Sequence, residues 1–172
     1  MELRFLPPEP RRFDEASVEL CACSVWSDQR PARGFAGLVD WQLDGRLSAM
    51  QRVGFLRGDR GEALLVPGKP HLPFEKVLVL GLGRQADFDD DAFRAAVEHL
   101  SRALERLRVR RAVVELPGRP GDGIDAERAI TLTLEVAGGS AEHDVWWLVD
   151  TPAAQRRIEQ RAAEERRRAR SL

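Results

Sequence analysis

The stretch from Ser17 to Trp26 constrains this chain more than any other. In an extended segment Val18, Leu20 and Ala22 point one way and Cys21, Cys23 and Val25 the other, so both faces are apolar. A strand with no side for water belongs in the middle of a sheet covered on both faces by helices. The chain is therefore expected to form a layered α/β domain, and its 172 residues suit one domain with a substantial core.

The remaining pattern supplies the rest of the sheet. Leu3, Phe5 and Leu6 read as a short edge strand running into a stiff extended lead through Pro7, Pro8 and Pro10. Between Phe35 and Phe55, Leu38, Val39, Trp41, Leu43, Leu47, Met50 and Val53 suit one or two short helices broken at Gly45. Strands follow at Glu62 to Val66, closed by Pro67-Gly68, and at Val77 to Leu80, which runs into Gly81-Leu82-Gly83. From Asp87 to Arg108 an apolar stripe through Phe88, Ala92, Phe93, Ala96, Val97, Leu100, Leu104 and Leu107 predicts a long helix. Its acidic start and basic end match the helix dipole. Arg111 to Leu116 then completes a βαβ unit. After the breaker cluster 117–123, Asp125 is expected to cap a helix to about Ala137, stopped by Gly138-Gly139. Asp144 to Asp150 gives a last strand with Trp146 and Trp147 facing opposite ways, and Pro152 opens a charged terminal helix.

A formal net charge of -1 removes global attraction to nucleic acid or an anionic membrane. No run of apolar residues is long enough for a membrane span and the start shows no signal-peptide pattern, so a cytoplasmic protein is expected. Cys21 and Cys23 read as buried core thiols, since a metal site would need further ligands. His71, His99 and His143 stand at no metal-binding or catalytic spacing, and no nucleophile elbow is present.

One segment carries a family likeness. Asp40, Leu43, Gly45, Leu47 and Ser48, then Gly54-Phe55, Gly58 and Gly61-Glu62, followed by Lys76-Val77-Leu78-Val79-Leu80-Gly81-Leu82-Gly83, resemble in order and spacing the N-terminal domain of leucyl aminopeptidases. The resemblance runs most clearly from Ser17 to Leu116. It implies a macrodomain-like, three-layer αβα fold with a mixed, mostly parallel sheet of about six strands over residues 1–150. It also makes residues 151–172 similar to the helix that links this domain to the catalytic one. In that family two metal ions are held on the other domain by a lysine and several carboxylates, including an Asn-Thr-Asp-Ala-Glu-Gly-Arg-Leu motif. Here Asp125-Ala126-Glu127-Arg128 copies a fragment of it without the flanking residues, and neither Lys69 nor Lys76 lies in the family's metal-binding context. The expectation is a domain standing without its peptidase partner, with no enzyme activity, no metal and no cofactor.

Two features remain as candidate sites. The turn Gly81, Gly83 and Arg84, at the carboxyl end of a buried strand and before a helix, suits a phosphate by position, though the neighbouring aspartates oppose an anion. Macrodomain likeness adds ADP-ribose to the ligands to weigh, but Ser24-Val25-Trp26-Ser27-Asp28 has no asparagine where binders of that kind are rich in it. The terminal helix reads first as a solvated helix held by Glu–Arg pairs, and its sharper reading offers Arg157, Ile158 and Arg161 to a partner. Its interleaved glutamates and lack of aromatics weigh against nucleic acid. The function expected is a non-catalytic interaction or regulatory module with a protein partner or self-association. The alternative is a small-ligand or nucleotide-binding domain using the glycine loops, and membrane association is not expected.

Overall fold

A computed structural model describes residues 1–119, 121, 123–138 and 144–170. Six strands form one sheet: β1 (Glu2–Leu6), β2 (Leu20–Val25), β3 (Ala63–Pro67), β4 (Lys76–Gly81), β5 (Arg111–Val114) and β6 (Val145–Val149). Their order is β1-β6-β5-β2-β4-β3. Every pairing is parallel except β3 with β4. All six residues of β2 are buried, as a strand apolar on both faces requires. The helices are α1 (Gly34–Gln42), α2 (Arg46–Arg52), α3 (Asp90–Arg106), α4 (Ala126–Ala137) and α5 (Pro152–Arg170).

The sheet divides two cores. On one face Leu20, Ala22, Leu78, Ala112, Val114 and Trp146 pack under α3, α4 and α5, which contribute Phe93, Val97, Ile130 and Ile158. On the other, Cys21, Cys23, Val77, Val79 and Val113 pack under α1 and α2, through Phe35, Val39 and Leu47. The two cysteines are thus free, buried core thiols, and burial pushes both thiols up from their ordinary pKa. Trp146 and Trp147 do face opposite cores.

The residues that carry the family likeness are tie points. The Asp40 carboxylate accepts the Ser48 N–H at 3.0 Å and the Ser48 hydroxyl, holding the first turn of α2 against the end of α1 across the break at Gly45. Glu62 accepts the N–H groups of Arg57 and Gly58, folding loop 57–62 back on itself.

Four expectations need correction. The lead after β1 is not extended: Pro10–Ala16 is a 3-10 helix with Pro10 in its first turn, and it drives Phe13 edge-on against Phe35 at 5.3 Å. Burial of one aromatic outweighs the extended preference of the proline-rich stretch. Val18 lies in the core with Cys21 and not with Leu20, because the chain turns at Ser17 (φ 47°) and the strand begins only at Leu20. The long helix starts at Asp90, capped by Asp89, which accepts the Ala92 N–H at 2.8 Å, while Asp87 ends a separate 3-10 turn, Gln85–Asp87. It closes at Arg106, since Leu107 and Arg108 form its capping turn, with Arg108 at φ 57°. The Gly138-Gly139 stop falls partly outside the described residues, as does His143.

The terminal helix belongs to the domain. Ala154, Ile158 and Ala162 are buried in the core shared with α4. Ile158→Ala is expected to destabilise the protein by about 3 kcal/mol in chemical denaturation, through lost burial and the cavity left behind. A change below a few tenths of that would mean α5 is only loosely attached.

Candidate functional site

Because five strands are parallel, the carboxyl ends of β2, β4, β5 and β6 meet at one end of the sheet. There the chain gathers Trp26 to Asp28, Gly81 to Gln85, Glu115 to Arg119, and Asp150. This is the position where ligands bind in open α/β sheets, and the partners of its polar groups decide what it can accept.

The N–H groups of Gly81, Leu82 and Gly83 are engaged within the chain. Gly81 N–H reaches Glu62 O at 2.8 Å, Leu82 N–H reaches Val25 O at 3.0 Å and Gly83 N–H reaches Gly58 O at 2.8 Å. Gln85 N–H turns to the Asp28 carboxylate at 3.2 Å. Arg84 is exposed. The turn is glycine-led because loop 57–62 lies against it: a Cβ on Gly81 would overlap Asp59 O. Of the neighbouring aspartates, Asp89 caps α3 and Asp90 pairs with Arg128.

Beside this turn the crevice holds three further arrangements. Glu115, 6% exposed, follows β5 and accepts the Phe35 N–H in the first turn of α1 at 2.7 Å. A helix N-terminus presents free N–H donors, and here the chain's own Glu115 carboxyl group takes that position. Its second oxygen is buried without a hydrogen-bond partner. Burial raises the Glu115 pKa to about 8; the Phe35 N–H opposes the shift, Asp150 adds to it and Arg119 opposes it. Next to it Arg119 and Asp150 form a two-pronged pair at 2.7 and 3.2 Å, and Arg119 also donates to Ile124 O at 2.7 Å. Trp26, only 3% exposed, stacks edge-on against Phe88 with ring centroids 4.9 Å apart. A Cβ on Gly118 would strike the Phe88 ring, and one on Gly123 would stand 3.0 Å from the Trp26 ring. Sequence reasoning missed Glu115, Arg119, Asp150 and Phe88, because their roles depend on contacts between loops far apart in the chain.

The other sequence-derived residues are placed as follows. Arg157 pairs with Asp125 at 2.7 Å and Glu127 at 2.8 Å, Ile158 is 1% exposed, and Arg161 donates to Thr131 at 3.0 Å and pairs with Glu165 at 2.8 Å. These three residues therefore fasten α5 to α4, and Ile158 has no surface left for a partner. Asp125 caps α4 as expected, accepting the Glu127 N–H at 2.9 Å. His71 lies near Asp44 at 3.5 Å and His99 is on α3. Among the described residues no three His, Cys, Asp or Glu side chains are placed to hold a metal, and no helix is long and apolar enough to cross a membrane.

Known proteins resemble this chain at two levels. Residues 25–142 match the N-terminal domain of the cytosol aminopeptidase family. A probable cytosol aminopeptidase of Halorhodospira halophila is 35% identical over 136 residues, 79% of this chain and 26% of the relative. One from Thioalkalivibrio sulfidiphilus is 30% identical over 63% of this chain and 23% of its own length. The chain thus spans about a quarter of these relatives. Among solved structures, a tomato leucine aminopeptidase variant superposes with a TM-score of 0.64 at 17% identity, covering 94% of this chain and 35% of that one. The Oceanobacillus iheyensis macrodomain with ADP gives 0.70 at 10% identity over 88% of this chain and 86% of that one. The Trypanosoma brucei macrodomain in complex with ADP-ribose gives 0.67 at 14% identity, covering 92% of this chain and 67% of that one.

Glu115 and Gly81 generate tests. A carboxyl whose folded pKa is raised favours the folded state only when protonated, so its cost is absent below its ordinary pKa of 4.5. The cost grows as pH rises and is complete above about 8. Glu115→Gln, which keeps an acceptor for Phe35 N–H, should flatten the loss of stability across that window in pH-dependent denaturation. Parallel curves for the two proteins would show that Glu115 is not buried as described. Gly81→Ala should cost about 3 kcal/mol through its clash with Asp59 O, and a neutral effect would show that loop 57–62 yields.

Proposed function

This chain belongs to the cytosol aminopeptidase family through that family's N-terminal domain, and from that premise we propose that it acts as a non-catalytic protein-interaction module. The observation that carries the reading is where the exposed apolar surface lies. Among the described residues the most exposed large apolar side chains are Val53 (79%), Trp41 (71%) and Phe55 (65%), all within the α1–α2 segment and the turn after it. Three exposed large apolar side chains gathered in one segment leave apolar surface uncovered, and aromatic anchors are enriched among the few residues that dominate binding energy at protein contacts. The strand-end crevice supports the same reading. The Glu115 side chain occupies its helix N-terminus, the N–H groups of Gly81, Leu82 and Gly83 are engaged, and Trp26 packs edge-on against Phe88 beside them.

The test uses the full chain carrying a photo-reactive residue in place of Arg52, which is exposed at the end of α2. Irradiation in the native cell is expected to join it to a specific protein, and Trp41→Ser with Phe55→Ser should reduce that yield at least about tenfold without unfolding the chain. Equal yields with and without the two substitutions would end this reading. Saturable thermal stabilisation by ADP or ADP-ribose, with no cross-linked partner, would favour the ligand-binding alternative instead.

A further inference from the structure

The edge strand β1 is complementary to itself. Glu2 donates its N–H to Asp144 O in front of β6 at 2.8 Å. In a strand the direction of the peptide groups alternates, so Glu2 and Arg4 face β6 while Leu3 and Phe5 turn their N–H and C=O groups to the open edge. Side chains alternate as well. Met1, Leu3 and Phe5 are half-buried against the core under α4 and α5. Glu2 and Arg4 lie on the other face, joined to each other at 2.7 Å, with Arg4 over the Trp147 ring.

We propose that a second copy of this chain adds to the sheet along β1, antiparallel and in a two-fold register centred on Leu3. In that register the outward-facing residues lie opposite outward-facing residues: Leu3 opposite the same residue of the second copy, and Phe5 opposite Met1. The Leu3 pair is the hydrogen-bonded type of antiparallel pair, so donors meet acceptors at the axis. The same register sets Glu2 opposite Arg4 twice over, converting two internal ion pairs into a four-charge square. A shift by one residue would place outward N–H groups against residues already turned to β6, and would lose the charge match.

The apolar face has room for the incoming strand. A groove of about 420 Å³ opens between α4, α5 and the start of β1, lined by Met1, Leu3, Leu134 and Ala162 and also by the charged Glu135, Glu165 and Arg166. Phe5 of the second copy, opposite Met1 and on this face, enters it. The opposite edge of the sheet lacks these features, since β3 carries no charged residue and ends at Pro67, which has no N–H to donate. A contact of one short strand and one groove is small, so the dimer is expected to form and dissociate at micromolar concentrations. This inference goes beyond the reading of the α1–α2 surface, since it places a second contact at the other edge of the fold. It shares no residue with Trp41, Val53 or Phe55, so each can fail alone.

The experiment is sedimentation velocity on the full chain over a range of concentrations, with folding of every variant checked by thermal unfolding. The native chain is expected to dimerise. Glu2→Arg, which opposes like charges, should weaken the dimer about tenfold or more, and Glu2→Arg combined with Arg4→Glu should restore it. Leu3→Cys should form an inter-chain disulfide under mild oxidation, because the two copies of this position face each other at the axis, and Cys21 and Cys23 are buried. A native chain that stays monomeric at high concentration overturns the proposal. So does a dimer indifferent to Glu2→Arg, one not regained by the charge exchange, or a Leu3→Cys variant that stays unlinked. Loss of the dimer in the Trp41 and Phe55 variant, with the β1 variants unaffected, would place self-association on the α1–α2 surface and likewise overturn it.

Discussion

The fold depends on β2 having no side exposed to water. A parallel strand flanked by β5 and β4 and apolar on both faces forces two helical layers, and each layer must supply its own core. The remaining elements follow from that need. α3, α4 and α5 cover one face, and α1, α2 and the 3-10 segment with Phe13 cover the other. The parallel arrangement also sends four loops to one end of the sheet, which is what makes a crevice there in the first place.

In that crevice several polar groups hold loops together. Gly58 and Glu62 anchor loop 57–62 to the turn after β4, Asp28 caps Gln85, and Arg119 binds Asp150 at the end of β6. Glu115 is the exception in energetic terms. Burying a carboxyl with one oxygen unpartnered costs stability, and the bond to Phe35 N–H offsets only part of it. The macrodomain likeness at 10–14% identity is a likeness of backbone, and fold alone carries no chemistry.

The charge pattern of α5 serves the chain itself. Some of its arginines pair with glutamates of the same helix, while Arg157 and Arg161 reach across to Asp125, Glu127 and Thr131 on α4 and its cap, and Ile158 is inside. An arginine has a long stem and a planar fork, so it serves an internal seam as well as an external one. In contrast, the exposed apolar side chains at Trp41, Val53 and Phe55 were hidden within an otherwise ordinary helical period, where every apolar residue looks like core.

The sequence by itself determined the elements and their class. Two-faced apolarity marked β2 and β4, helical periodicity marked α3, Asp125 marked the start of α4, and the glycine-led order of 40–83 marked the family. Those signals are local, because side-chain period and capping depend on residues a few positions apart. Only the tertiary structure decided that Phe13 closes a core from a proline-rich lead, that Glu115 occupies the N-terminus of α1 eighty residues away, and that the donors of Gly81 and Gly83 are already engaged. Each of these is a contact between segments distant in the chain. Its free energy comes from desolvation and close approach, quantities that exist only once the sheet has brought the segments together.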